Sequence, residues 1–175
     1  MVTCDKQVAS CRTIDFMDII EQQQEHKWLQ QMAGNWTYES EVLMGPDKPP
    51  MKSSGTEIVR AIGDFWILAE GQGSMPNGEP ATMVITAGYD PGIKKFVATW
   101  FGSMMTQLWV YECSKEGNTL IMDAEGPSMS GDGTTAMYRD SMEIVDAGNR
   151  TFRSQMRNPD GSWMQFLTMH YRRVT

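Results

Sequence analysis

The sequence predicts an all-β protein, a single antiparallel up-and-down β-barrel of roughly ten strands with one N-terminal α-helix. Between Trp36 and Arg173, short runs of alternating apolar and polar residues follow one another, and turn dipeptides rich in Gly, Pro, Asn and Asp separate them. Their close spacing favours pairing of consecutive strands, and no helix-length segment intervenes. A closed barrel of this size has an interior that can hold a small molecule.

Length and composition indicate one soluble globular domain. The chain has 175 residues, of which 41% are hydrophobic and 21% charged. We expect a flexible arm over 1–15 and a single helix-plus-barrel domain over 16–175. The net charge of −7 argues against nucleic acid as a partner, because phosphate contacts need surplus Lys and Arg. No apolar stretch approaches the ~20 residues that a membrane span requires.

The N-terminus and the cysteines favour a reduced, cytoplasmic protein. Residues 1–15 lack the basic segment followed by an apolar segment that marks a secretory signal. The three cysteines, Cys4, Cys11 and Cys113, are an odd number without zinc-like spacing, so we expect no metal site.

The helix is predicted to begin near Asp15, a suitable N-cap, and to end at Gly34, which favours a left-handed backbone. Its apolar face consists of residues separated by multiples of four positions, namely Phe16, Ile20, Trp28 and Met32. Three consecutive glutamines interrupt this face, which indicates a helix that is partly exposed or lies across an opening of the barrel.

The strands follow in order, each bounded by a turn signal. They are predicted at 36–44, 54–62, 65–74, 82–90, 94–101, 107–113, 118–125, 135–146, 150–157 and 163–173. Two of them carry runs that are apolar on both faces, 65–68 and 96–101. Because only one face can line the barrel, the other must be covered, and a homodimer is one way to cover it.

Several motifs resemble the lipocalin-like (calycin-type) barrels, and more specifically the family named domain of unknown function 1579. The matching blocks are Leu29-x-x-Met32-x-Gly34-x-Trp36, Ser54-Gly55-Thr56-Glu57, Gly88-Tyr89-Asp90-Pro91, Thr99-Trp100-x-x-Ser103-Met104, Tyr138-Arg139 and Asn158-Pro159-Asp160-Gly161. The resemblance implies that Gly34 and Trp36 close the barrel floor. It also implies that an arginine of the last strand, Arg172 or its neighbour Arg173, packs over the tryptophan ring. It brings no established activity.

The main functional hypothesis is binding of a small apolar or amphipathic molecule, including an anion, inside the barrel. Methionine is abundant, with 16 residues, and adapts to irregular apolar shapes. Arg60 and Arg139 each share a strand face with apolar residues, and a buried arginine needs a partner. That partner is either a ligand carboxylate or an internal acid such as Glu57, Glu70 or Glu143. The candidate ligand-binding residues are Arg60, Tyr89, Trp100, Trp109, Met137, Tyr138, Arg139 and His170.

Three alternatives stay open at this stage. The first is an enzyme that uses an acid–base pair in the pocket, although no catalytic residues stand out. The second is an interaction module whose barrel is filled with side chains. The third is haem bound through His170, which we do not favour because a single strand histidine is usually structural. We therefore expect no cofactor.

Overall fold

The structure, a computed structural model, describes residues 21–45, 48–75 and 78–174. Within these residues it contains a helix and ten strands. The helix is α1 (Gln24–Gln30), and the strands are β1 (Gly34–Val42), β2 (Met51–Ile62), β3 (Trp66–Ser74), β4 (Pro80–Asp90), β5 (Lys95–Gly102), β6 (Trp109–Glu116), β7 (Thr119–Pro127), β8 (Thr135–Ile144), β9 (Asn149–Arg157) and β10 (Trp163–Arg173). The predicted fold class is confirmed.

The ten strands form a closed barrel in which every strand pairs antiparallel with its neighbour along the chain. The barrel closes where β1 pairs with β10, with Trp36 opposite Arg173 and Val42 opposite Leu167. Closure gives each of these ten strands two neighbours, and the period of two along each strand then separates an inner from an outer face.

The helix is shorter than predicted within the described residues. Residues 21–23 are not helical, and α1 begins at Gln24. The Gln22 side chain instead donates a hydrogen bond to the Asp64 carbonyl in the β2–β3 turn, at 3.1 Å. Gln23 is the N-cap, with an extended backbone and its amide bonded to the His26 side chain, so the helix starts after it. The predicted start at Asp15, the residues Phe16 and Ile20, and the 1–15 arm lie outside the described residues.

His26 attaches the helix to the barrel. It lies on the side of α1 that the sequence suggests is polar, yet only 1% of it is exposed. Its Nδ1 accepts a hydrogen bond from the Gln23 backbone amide at 2.9 Å, so its Nε2 carries the proton and donates to the Tyr89 carbonyl, also at 2.9 Å. Both ring nitrogens are therefore satisfied in a neutral imidazole, which allows this burial.

Trp36 closes the barrel at the helix end. The ring is 2% exposed, and its Nε1 donates to the Met32 carbonyl at 2.9 Å. The Arg173 guanidinium lies 4.2 Å from the ring centroid and donates to the carbonyls of Ala33, Gln31 and Ala147. This contact ties β10 to the α1–β1 connection and to the β8–β9 turn, because the guanidinium donates to carbonyls of both segments.

Of the two arginines that the resemblance offered for this role, Arg173 and not Arg172 takes it. Arg172 is exposed on the outer face, because residues on β10 alternate and Tyr171 and Arg173 point inward. Gly34 fits its predicted place: its φ is +142°, and a Cβ there would collide with the Arg173 guanidinium. Glycine supplies both the conformation and the space.

We predict that Trp36→Ala lowers the free energy of unfolding by ~3–5 kcal/mol, since it truncates a fully buried aromatic residue. Arg173→Ala should cost ~1–3 kcal/mol, because it removes the cation–π contact with Trp36 and the hydrogen bonds to three carbonyls. Arg172→Ala is the matched control and should change stability by no more than ~0.5 kcal/mol. Chemical denaturation of the three variants measures these differences, and equal losses for Arg172→Ala and Arg173→Ala would contradict the assignment.

Candidate functional site

A cavity of about 250 Å³ opens at the end of the barrel opposite α1. Since consecutive strands are antiparallel, the β5–β6 and β7–β8 loops lie at this end. Each loop contributes a methionine to the rim, Met105 and Met129, which are 38% and 55% exposed. The half of the barrel nearer α1 is filled, with Leu29, Leu120 and Met122 almost fully buried.

Aromatic rings form much of the cavity wall. Trp109 packs edge-on against Tyr138 at 5.1 Å and against Trp100 at 6.5 Å between centroids. Tyr138 in turn lies 6.3 Å from Phe166. Gly126 on β7 makes room for the Trp109 ring, since a Cβ there would overlap it. The edge-to-face chain holds these rings in defined orientations around the opening.

The polar hydrogens of the two central rings are already used. Trp109 Nε1 donates to the Met105 sulfur at 3.3 Å, and the Tyr138 hydroxyl donates to the Pro127 carbonyl at 2.6 Å. The ring faces and edges, rather than polar groups, are therefore what this wall offers to a ligand.

A buried ion pair forms part of the cavity floor. Glu57 on β2 accepts a hydrogen bond from Arg150 on β9, and their side chains are only 6% and 2% exposed. The Arg150 guanidinium lies 4.5 Å from the Trp36 ring and 4.1 Å from the Tyr171 ring. Glu57 and Tyr171 line the cavity, whereas Arg150 lies behind them. Removing either charge would leave the other buried and unpaired.

Asp140 on β8 is the second carboxyl group in the cavity wall. The Tyr111 hydroxyl donates to it at 2.6 Å, and Ser154 on β9 also hydrogen-bonds to it. Burial raises the pKa of Asp140, while these two hydrogen bonds act in the opposite direction. Burial also raises the pKa of Tyr111, so this phenol stays protonated. The pKa of the nearby Cys113 is raised to about 12, again mainly by burial, which makes its thiol a poor nucleophile.

Trp100, Trp109 and Tyr138, three of the predicted ligand-binding residues, line this cavity. Tyr89 does not, because it lies near α1, where its ring contacts His26 and Phe96.

Four other predicted residues face outward: Arg60, Met137, Arg139 and His170. Each of these four residues is adjacent in sequence to an inward-pointing residue, namely Val59, Tyr138 or Met169. Because side chains alternate along a strand, all four predicted residues lie outside the barrel interior. The prediction that Arg60 or Arg139 lies inside is wrong. Arg139 instead forms two 2.7 Å hydrogen bonds with Asp123 on the outer face and stacks over Trp163.

The arginine buried inside the barrel is Arg150, which the sequence analysis missed. Arg150 follows the Gly148-Asn149 turn directly, so it looks like an exposed residue at a strand start. The available signal is that Arg150, Phe152 and Ser154 share one face of β9. The sequence suggested Glu57 only as an internal partner for an arginine, and it did not point to Asp140.

The family model described as "Protein of unknown function (DUF1579)" matches residues 21–173, nearly the whole chain. This chain belongs to the DUF1579 family. The predicted resemblance is therefore confirmed. No curated protein matches the sequence.

Solved structures similar to this DUF1579 protein are β-barrels. Rv2717c from M. tuberculosis is 12% identical with a TM-score of 0.58, and the match covers 89% of this chain and 100% of that one. The barrel EF1p2_mFAP2b, bound to DFHBI, is 14% identical with a TM-score of 0.47 over 86% and 99% of the two chains. A de novo designed fluorescence-activating β-barrel is 14% identical with a TM-score of 0.45 over 83% and 95%. At this identity, the likeness to Rv2717c establishes the fold alone.

Two features are absent from the part of the chain that the structure describes. No helix there is long and apolar enough to cross a membrane. The same residues contain no group of three or more His, Cys, Asp or Glu side chains arranged to hold a metal ion.

We predict that Asp140→Asn changes the pH dependence of stability. Because the folded-state pKa of Asp140 is raised, its stabilising contribution is complete below the ordinary aspartate pKa of about 4 and is lost as pH rises through the raised value. The melting temperature of the variant relative to wild type should therefore increase between pH 4 and pH 7.

Asp160→Asn is a control of opposite sign. Hydrogen bonds from Ser162 lower the pKa of this exposed carboxyl, so its contribution is present at pH 7 and disappears as pH falls. Its relative melting temperature should decrease slightly between pH 4 and pH 7. Parallel pH curves for Asp140→Asn and wild type would contradict the prediction.

Proposed function

We propose that this DUF1579 protein binds one small, mainly apolar or amphipathic molecule inside the barrel. The observation that carries the proposal is the cavity at the open end, which has aromatic walls, methionine at its rim and a floor made partly by Glu57 and Tyr171. Concave apolar sites with a few inward polar groups are the usual form of a small-molecule site.

The cavity volume limits the size of the ligand. A cavity of ~150 Å³ is large enough for benzene, so about 250 Å³ suits a bicyclic aromatic molecule or a medium-length alkyl chain. Burying ten CH₂ groups contributes ~8 kcal/mol before the cost of association is subtracted. This energy supports affinities no tighter than micromolar from the apolar part alone.

The lining favours tolerance of different ligand shapes. Four methionines contact the cavity, namely Met83, Met105, Met129 and Met169. Their flexible thioether side chains adjust to irregular apolar surfaces and make favourable contacts with aromatic rings. This arrangement supports a binding protein that accepts a group of related molecules.

The geometry gives less support to the alternatives. A filled interaction module does not account for the open cavity. His170 points outward and lies 3.5 Å from the Thr151 hydroxyl, so it is not placed to hold haem inside the barrel. Acid–base catalysis has less support, because Glu57 is ion-paired with Arg150 and the Tyr111 hydroxyl, which hydrogen-bonds to Asp140, has a raised pKa. The cytoplasmic location stays a prediction from the sequence.

The binding proposal predicts that the neutral probe N-phenyl-1-naphthylamine gains fluorescence on saturable binding to wild type. Ile85→Trp should weaken this binding at least tenfold, because the larger ring occupies the cavity that Ile85 lines. Met137→Trp is the control, since Met137 lies on the outer face of β8, next in sequence to the cavity residue Tyr138 and outside strands β2–β6. Equal effects of the two variants, or no saturable binding to wild type, would contradict the proposal.

We also propose that the outer face of β2–β6 pairs with a second copy of this chain. The runs that are apolar on both faces, 65–68 and 96–101, alternate between the inner and outer faces of the barrel. Ile67 and Phe96, for example, point inward. Large apolar side chains remain exposed on the outer face, namely Ile58, Ile62, Trp66, Phe101 and Val110. Arg60 and Glu70 lie among them, so a twofold arrangement can place Arg60 of each copy opposite Glu70 of the other.

Sedimentation equilibrium at micromolar concentration should show a dimer for wild type and a monomer for Val110→Lys, because a charge would be buried in the interface. Val110 is 66% exposed. Val145→Lys, at a valine 55% exposed outside this face, should leave the dimer intact. A wild-type monomer would rule out this pairing.

A further inference from the structure

The charges around the cavity are unbalanced. Two of the described lining residues, Glu57 and Asp140, carry carboxyl groups, and none of the described lining residues is Lys, Arg or His. Arg150 neutralises Glu57 from behind the floor. Asp140 has no such cation, because among the described residues its hydrogen-bond partners are the hydroxyls of Tyr111 and Ser154. Within the described part of the chain, the cavity therefore holds one carboxyl group without a countercharge.

The walls around Asp140 suit a positive charge. Trp100, Trp109 and Tyr138 present aromatic rings to the same cavity, and the negative face of an aromatic ring attracts ammonium groups. Aromatic cavities that also hold a carboxylate are well suited to organic cations, because the charge gains a partner while the apolar part stays dry.

We propose that the ligand is a hydrophobic amine, whose ammonium group pairs with Asp140 while its apolar body lies among the aromatic rings and methionines. This inference rests on the proposed binding function and specifies the chemical class of the ligand. The net charge of −7 acts in the same direction, since it attracts cations towards the protein and repels anions.

The pairing links binding to pH. Burial raises the pKa of Asp140, so part of the cost of ionising it is recovered only when a cation binds. Amine affinity should therefore increase as pH rises through the pKa of Asp140. It should decrease again where the amine itself loses its proton.

Other groups near Asp140 do not give the same pH dependence. On β6, the pKa values of Tyr111 and Cys113 are raised, so both stay protonated at neutral pH. On β7, Asp123 faces outward and pairs with Arg139. On β9, Ser154 does not titrate, and Arg150 is paired with Glu57 at the cavity floor.

The test compares three ligands that share one apolar body: 2-(1-naphthyl)ethylamine, 2-(1-naphthyl)ethanol and 3-(1-naphthyl)propanoic acid. Calorimetry at pH 7 should show that wild type binds the amine at least tenfold more tightly than the alcohol, and the acid most weakly. Asp140→Asn should reduce the ratio of amine to alcohol affinity to about one. Asp123→Asn, which removes the same charge outside the barrel wall, should keep the preference.

Other outcomes contradict either the cation proposal or the binding function itself. If the alcohol binds but the amine has no advantage, or Asp140→Asn keeps that advantage, the cation proposal fails and the binding function stands. A preference for the acid would reverse the charge of the proposed ligand. If none of the three ligands and no N-phenyl-1-naphthylamine binds, the proposed function itself fails.

Discussion

The barrel depends on the contacts around the Trp36 ring. Trp36 belongs to β1, and the two guanidinium groups near its ring come from β9 and β10, through Arg150 and Arg173. Arg150 extends the connection to Glu57 on β2. One buried cluster thus joins β1, β2, β9 and β10, the four strands nearest the β1–β10 seam. The turn after α1 joins it through the Met32 carbonyl, which accepts a hydrogen bond from Trp36.

This cluster divides the interior into two parts with different roles. On the helix side, Trp28, Leu29 and Met32 fill the barrel, and Arg150 compensates the charge of Glu57 at the floor. On the open side, the rings are spaced around a cavity whose described lining offers Asp140 no countercharge. A buried ion pair such as Glu57–Arg150 contributes little net stability by itself, whereas removal of one partner would leave the other charge buried and uncompensated. The open half can then tolerate a cavity because closure does not depend on filling it.

The outer surface follows from the same strand period. Arg139 and Asp123 pair there because they lie directly opposite each other on β8 and β7. Arg153 on β9 lies opposite Ser141 and reaches diagonally to Glu143 on β8. Such half-exposed pairs contribute little to stability, since solvent screens them. The apolar region across β2–β6 differs from this charged surface, and it is the part of the exterior that most resembles an interface.

The sequence by itself predicted about ten strands and their order, because turn residues and the period of two are local properties. The resemblance to a known family implied the closing tryptophan. The sequence also identified Trp100, Trp109 and Tyr138 as candidates for the cavity. Only the tertiary structure decided which charged residues point inward, since one residue of register exchanges the two faces of a strand. For this reason the sequence predicted Arg139 as an interior arginine, whereas the structure buries Arg150. The tertiary structure also revealed the cavity carboxyl group of Asp140 on β8, whose partners Tyr111 and Ser154 lie on β6 and β9.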